Sequence, residues 1–405
     1  MNYKYAGPSI ETPYGWVVVG ASLAMTSLSF GAVTFVPILM RPMGEDLGWD
    51  RATLSLGHSL AMVAAGTGGL AIGYLSDRVN FTILCVVAAL AISGGLLLCA
   101  QATTPFELYA GYALLVGAVG QATFFGPITA IVSHWFDRNR GVAMAIVLSG
   151  QSVGGLVVPV ALRNLAVWWG WRDAVIAYGL FCLVTIGLAS LVFCRRPGVL
   201  EMEKRIAAES RKNAQDQSRI FWGLVFMLVL VNSGTFIIIA HLVALAEEQG
   251  FSPSLASGLL TVLLGSSLIS RLMSGGWADR GNAIPSLLAC TFLIPLGGAL
   301  LLFGSGSSAL LIAGGCVTIG LGYGGVFPAY VHLVRKAFSG AAAGTSISVM
   351  FFFAFLAAAV GSWIGGVTRD LYGGYEVALS ISITLSATSF LAGMLILRRQ
   401  SPSPT

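Results

Sequence analysis

The chain has 405 residues, of which 56% are hydrophobic and only 10% charged, and its formal net charge is +5. Soluble domains carry about 25% charged residues, so this chain has too little polar surface to face water on every side. The positive balance is no nucleic-acid footprint, because Lys and Arg sit in short segments between apolar runs. The six cysteines (Cys85, Cys99, Cys182, Cys194, Cys290 and Cys316) lie inside or at the ends of those runs, with no CxxC pair or Cys/His cluster to suggest disulfides or zinc.

The first 14 residues are polar and lack the apolar core and cleavage site of a signal peptide, so the first helix is expected to be retained. Apolar runs of about 20 residues then recur along nearly the whole chain, the length of a membrane-crossing helix. They are continuous rather than alternating, which argues against barrel strands. Twelve spans are predicted: about 15–40, 52–76, 80–101, 106–132, 141–165 and 172–194, then 220–246, 254–277, 282–304, 308–334, 342–368 and 374–397. Between the sixth and seventh lies a long polar stretch, Arg195 to Arg219, with seven basic and four acidic residues. The fold class is thus all-α integral membrane, with 12 transmembrane helices in two six-helix halves, 1–194 and 220–405, joined by a solvated linker, 195–219.

Lys and Arg are distributed by loop parity. The N-terminus, even-numbered loops and C-terminus hold 16 of the 22, and the odd-numbered loops and their helix ends hold five. Basic residues concentrate on the cytoplasmic side, so both termini and the linker are expected there, and the short loops and termini point to the plasma (inner) membrane.

An internal repeat stands out. Gly73-Tyr-Leu-Ser-Asp77-Arg78 follows the second span and Gly275-Gly-Trp-Ala-Asp279-Arg280 follows the eighth, the two Asp being 202 positions apart. Phe125-Gly-Pro127 with Arg140-Gly141 is echoed by Phe327-Pro328 with Ala343-Gly344 at nearly the same offset. Two homologous halves related by an axis along the membrane normal would carry a site at their interface near the midplane.

The Gly-x-x-x-Asp-Arg loops resemble the cytoplasmic motif of the major facilitator superfamily, although Asn80 replaces an expected Gly and Phe81-Thr82 the usual basic pair. More narrowly, the chain resembles the monocarboxylate transporter family and its bacterial relatives, including the oxalate–formate antiporters. Pro13-Tyr14-Gly15-Trp16-Val17-Val18 is similar to that family's opening of the first span. His134-Trp135-Phe136-Asp137-Arg138-Asn139-Arg140-Gly141-Val142-Ala143, running on to Gly150 and Gly154-Gly155, resembles its aromatic–basic–glycine entry to the fifth. Trp169-Gly170-Trp171-Arg172 and Arg369-Asp370-Leu371-Tyr372-Gly373-Gly374-Tyr375 match in place. The resemblance implies a secondary transporter rather than an enzyme, with a small monocarboxylate and a proton as partners and no cofactor. The sequence carries no sign either way of an accessory subunit.

One ionisable residue carries the chemistry. All 17 Asp and Glu fall in loops, termini or helix ends, whereas Arg271 lies within the eighth span, eight residues or about 12 Å before Asp279. An Arg at a helix centre costs about 2.5–3.5 kcal/mol to insert, so it is expected to face a cavity and to meet its counter-ion in the substrate. A guanidinium grips a carboxylate with two parallel hydrogen bonds, and one fixed charge favours a monoanion. The competing reading is an Arg that snorkels to the interface and positions nothing. In the resembled family an Arg at this place binds the substrate carboxylate. Mammalian members also carry an Asp four residues earlier, where this chain has Ser267, and a Lys in the first span, where it has an uncharged stretch around Phe30 to Val33. The Lys of the oxalate–formate relatives is missing from 342–368, which disfavours a dianion.

His241, in the seventh span, is the candidate for proton coupling and for drawing in the anion, because imidazole changes charge near neutral pH. A histidine bonded between helices is the alternative. Asn232 lies nine residues earlier, about 180° around a straight helix, so the two share a cavity only if Gly234 breaks it. His58 reads as structural. Tyr323, Phe327 and Tyr330 share one face of the tenth span and suit a short organic acid. Gln121 and Phe125 on the fourth span, Gln151 on the fifth and Phe352 on the eleventh are further lining candidates, each with ordinary helix packing as the alternative. Gly150-x-x-x-Gly154, Gly320-x-x-x-Gly324 and Gly361-x-x-x-Gly365 read as close helix contacts. Asp77, Arg78, Asp279 and Arg280 are expected to gate the cytoplasmic side against Arg138, Arg140, Arg335 or Lys336.

The sequence points to proton-coupled symport of a lactate- or pyruvate-like anion by alternating access. Anion exchange is the alternative, and drug efflux and a non-transporting sensor rank below. Proton symport is preferred because a lone anion would enter against the membrane potential, at about 2.3 kcal/mol per charge per 100 mV.

Overall fold

The computed structural model describes residues 11–76, 78–195, 214–304, 308–337 and 342–398. All regular structure among them is helical. Among the described residues eleven stretches are long and apolar enough to cross a membrane, and one of them, Gly258–Gly304, holds two spans that part at Gly281, which makes twelve. Gly281 takes φ 84°, ψ 4° inside the π-helical turn Ala278–Asn282. A left-handed backbone there suits a residue without Cβ, and it turns the chain back right after the Asp279-Arg280 motif.

The first span starts at Pro13, which fills the first helical position, where no N–H is needed. It is two limbs, Pro13–Val33 and Phe35–Leu47, parted at Thr34 (φ −108°, ψ 4°). The second span is Arg51–Ser76 and the third Phe81–Gln101, begun by the Asn80 side chain accepting from the Thr82 N–H at 3.0 Å. The fourth is discontinuous. A Thr104/Glu107 capping box opens Pro105–Tyr109, a π-helical stretch Ala110–Gln121 follows, and the chain breaks at Phe125 (φ −117°, ψ −81°) before Gly126–Val132. The fifth runs as Arg140–Leu148 and Gly150–Trp169, and Gly170 turns it into the sixth, Trp171–Ser190. The seventh is Ala214–Glu248, the eighth Pro253–Trp277, the ninth Ala283–Gly304, the tenth Ala309–Ala337, the eleventh Ala342–Tyr372 and the twelfth Glu376–Arg398.

Contacts divide the chain into two compact units. Of the described residues one, here the N-terminal unit, takes 11–195 with 342–355, and the other, the C-terminal unit, takes 214–337 with 356–398. The eleventh span contributes residues to both units. Within the N-terminal unit Phe351 meets Phe125 edge-on and Phe355 meets it at a tilt, with ring centres 4.3 and 5.2 Å away.

Small residues draw equivalent spans together in each unit. In the N-terminal unit a Cβ on Gly68 would overlap the Ala118 backbone (second against fourth span), and one on Gly154 the Ser27 carbonyl (first against fifth). In the C-terminal unit Gly320 and Gly324 meet the Leu263 and Ser267 carbonyls (eighth against tenth), and Gly361 meets that of Ser233 (seventh against eleventh). The internal repeat is therefore written into the packing.

The Trp-Gly-Trp-Arg segment has a structural task. Asp46, near the end of the first span, accepts from Trp171 Nε1 at 3.0 Å and Arg172 Nε at 3.1 Å, and Arg172 also donates to the Ala100 carbonyl at 2.6 Å. The first, third and sixth spans are joined there. In the C-terminal unit Arg369 pairs with Glu248 at 2.8 Å, joining the eleventh span to the seventh.

Candidate functional site

Arg271 sits in the eighth span with 1% of its surface exposed, the largest of the fully buried side chains. It does not snorkel. The serines around it fix its place. Ser270 donates its hydroxyl to the Leu321 carbonyl, and Ser274 donates to the Gly325 carbonyl at 2.7 Å. Both acceptors belong to the tenth span, so the eighth is held in register on either side of Arg271. Gly320 and Gly324 let the backbones close on each other at Leu263 and Ser267, eight and four residues before the Arg. Ser267 turns its own hydroxyl back to the Leu264 carbonyl at 2.7 Å.

This register brings Tyr323 to the guanidinium. The Arg271 Cζ lies 5.7 Å from the Tyr323 ring centre, within the range where a ring face attracts a cation. The ring of Tyr323 meets Phe327 edge-on at 6.0 Å and Phe236 of the seventh span at 6.0 Å. Arg271, Tyr323 and Phe327, all buried, and the half-buried Phe236 thus form one group in the C-terminal unit. Its chemistry is a fixed positive charge bounded by aromatic faces and one phenol. Such a group suits an anion with a short apolar body.

Phe236, Ser270 and Ser274 were not singled out from sequence. The serines flank Arg271 at one and three residues, but the same helix also carries Ser254, Ser257, Thr261, Ser266 and Ser267, so the sequence alone does not single them out. Phe236 lies four residues after Asn232, on the same helical face, and Asn232 is itself buried.

The other expected residues fall elsewhere. Tyr330 is fully buried one turn beyond Phe327 and lies beside Ser389 of the twelfth span. His241 is half-buried and its Nε2 lies 2.9 Å from the Ser362 carbonyl. A carbonyl only accepts, so Nε2 carries a proton. The ring occupies the space left by Gly365 and stands 5.6 Å from the Tyr375 ring. Burial and then the Glu248 carboxylate push the Tyr375 phenol above its ordinary value. The seventh helix runs unbroken through Gly234, whose carbonyl accepts from Ser382 at 2.6 Å, so His241 faces the eleventh span while Phe236 faces the tenth.

Gln121, Phe125, Gln151 and Phe352 belong to the N-terminal unit. Gln121 is buried and its carbonyl accepts from Ser29 at 2.6 Å, tying the fourth span to the first. Phe125 and Phe352 line a small cavity with Gly66, Gly69, Ser348 and Phe351. Gln151 is half-buried in the fifth span. Of the residues expected from the sequence to gate the cytoplasmic side, Asp77 lies outside the described residues. Arg78 stacks on Tyr74 at 3.9 Å, Arg140 donates to the Phe136 carbonyl at 2.9 Å, and Asp279 and Arg280 occupy the π-helical turn, half-buried and exposed respectively.

The family model of the Major Facilitator Superfamily matches residues 21–362. Among curated relatives, mouse monocarboxylate transporter 11 is 28% identical over 325 residues, covering 79% of this chain and 69% of that protein. The uncharacterised MFS-type transporter YcxA of Bacillus subtilis is 25% identical over 359 residues, covering 86% and 87%. The same fold is found in the proton:xylose symporter XylE (TM-score 0.75, 14% identity, 96% of each chain). It is found again in the human organic anion transporter MFSD10 (TM-score 0.72, 16% identity, 94% and 100%). With twelve apolar spans and a family match over most of its length, the chain belongs to the Major Facilitator Superfamily of membrane transporters.

Proposed function

We propose that this transporter carries small monocarboxylates of the lactate or pyruvate type together with a proton, by alternating access of its two halves. The observation that carries the reading is the burial of the Arg271 guanidinium against Tyr323 at the depth of the eighth span. Holding a full charge there costs about 2.5–3.5 kcal/mol on the insertion scale, a penalty that a carboxylate offsets when it arrives. The planar guanidinium fixes the carboxylate by two hydrogen bonds, and Tyr323, Phe327 and Phe236 cover the short alkyl part. Similarity to monocarboxylate transporter 11 supports the substrate class.

In this reading His241 takes up the coupled proton. Its Nε2–H stays on the Ser362 carbonyl while Nδ1 gains and loses the proton. Gln121, Phe125, Gln151, Phe352 and Tyr330 complete the pathway, and Asp77, Arg78, Arg140, Asp279 and Arg280 gate its cytoplasmic end. Both termini lie in the cytoplasm.

Uptake of labelled lactate into proteoliposomes, with and without an inward proton gradient, tests the proposal. Accumulation driven by the gradient is expected. Entry that occurs only against a preloaded anion would make the protein an exchanger, and no entry of any monocarboxylate would overturn the reading.

A further inference from the structure

The two limbs of the first span meet at a point the sequence weakens by itself. Pro37 has no N–H, so the Val33 carbonyl lacks its helical donor four residues on, and the helix ends at Val33. The second limb carries further irregularity, with Leu39 non-helical (φ −107°, ψ 15°) and Pro42 inside it. A carbonyl buried in this way needs a partner from elsewhere.

It comes from the fourth span. The Tyr112 hydroxyl donates to the Val33 carbonyl, and the Tyr112 side chain is fully buried in the π-helical stretch Ala110–Gln121. Phe35, the first residue of the second limb, packs edge-on against the Tyr112 ring at 4.9 Å. One hydroxyl proton makes one donation, so Tyr112 faces its next neighbour as an acceptor. That neighbour is His58 of the second span, whose Nδ1 lies 3.0 Å from the Tyr112 oxygen. Nδ1 therefore carries a proton, and the line runs His58 to Tyr112 to Val33 across three spans.

We infer that His58 is a positioning residue of the transport cycle: through Tyr112 it clamps the hinge of the first span and sets how freely the limb Phe35–Leu47 moves. Its role is that of a fixed donor and needs no change of charge. The inference rests on this geometry and on the chain being a transporter, not on the carboxylate proposal, and its test requires no substrate.

Hydrogen exchange of the segment 34–47 in the full-length protein in nanodiscs reads the clamp directly. His58→Phe and Tyr112→Phe should each speed exchange there by roughly two- to tenfold, the effect of losing one hydrogen bond. His58→Asn should stay near wild type, because an Asn amide places its N–H close to where Nδ1 stood. Pro37→Ala returns an N–H to the Val33 carbonyl, so Tyr112→Phe should matter less in that background than alone. A Tyr112→Phe variant that folds, by an unchanged melting midpoint, yet exchanges at the wild-type rate would overturn the inference. So would His58→Asn behaving like His58→Phe, or an undiminished Tyr112→Phe effect beside Pro37→Ala.

Discussion

The Arg271 guanidinium lies over the Tyr323 ring, with Cζ 5.7 Å from the ring centre, because the eighth and tenth spans are held in one register. Ser270 and Ser274 donate to the Leu321 and Gly325 carbonyls, and Gly320 and Gly324 leave no side chain between the two backbones. Position and chemistry are therefore linked: what packs these helices also aims the charge.

Replacing Gly324 tests that link. Its Cβ would overlap the Ser267 carbonyl, which is backbone and has little room to give. Gly324→Ala is expected to destabilise the protein by about 1–3 kcal/mol, as overpacking does. Monocarboxylate affinity should fall with it, read as a lowered melting midpoint and a raised KM. The same change at Gly258, where a Cβ meets nothing within 4 Å, should leave both unaltered.

The ring of Tyr323 matters more than its hydroxyl if the aromatic face steadies the cation. A cation–π contact at a desolvated site is worth about 2 kcal/mol, roughly thirtyfold in a binding constant. Tyr323→Phe should keep most of the transport affinity, and Tyr323→Leu should lose about that factor, measured as KM for uptake. Equal losses in both variants would place the effect in the phenol.

His241→Gln separates coupling from structure. A Gln amide can still donate to the Ser362 carbonyl but does not titrate between pH 5 and 8. Proton-driven accumulation should disappear while exchange of labelled for unlabelled anion continues. Full accumulation in the variant would remove His241 from the coupling step.

The pair Arg369–Glu248, at 2.8 Å and about four-tenths exposed on both sides, should contribute little on its own. Glu248→Gln is expected to cost no more than about 1 kcal/mol in thermal unfolding.

Much of the fold was legible because a bilayer imposes one length on every span. The predicted eighth span, 254–277, sits beside the observed Pro253–Trp277, and the third, 80–101, beside Phe81–Gln101. Breaks inside spans were not legible. The parting at Thr34 follows from Pro37, a residue the apolar run absorbs, and the break at Phe125 has no warning beyond Pro127. Arg271 stood out because a charge in an apolar run is visible without any knowledge of neighbours. Phe236 did not, since its part depends on which face of the seventh helix meets the tenth. Gln121 drew notice as a polar residue in a span, and the structure gives it a partner in Ser29 that sequence spacing could not reveal.

The most direct test of carboxylate capture is equilibrium binding of lactate to purified Arg271→Lys beside wild type, with folding checked by melting midpoint. Lys keeps the charge but not the two-pronged donor, so affinity should drop by roughly ten- to hundredfold, the range for losing a hydrogen bond to a charged group. A folded Arg271→Lys that binds lactate as tightly as wild type would contradict the assignment of this guanidinium as the carboxylate's partner.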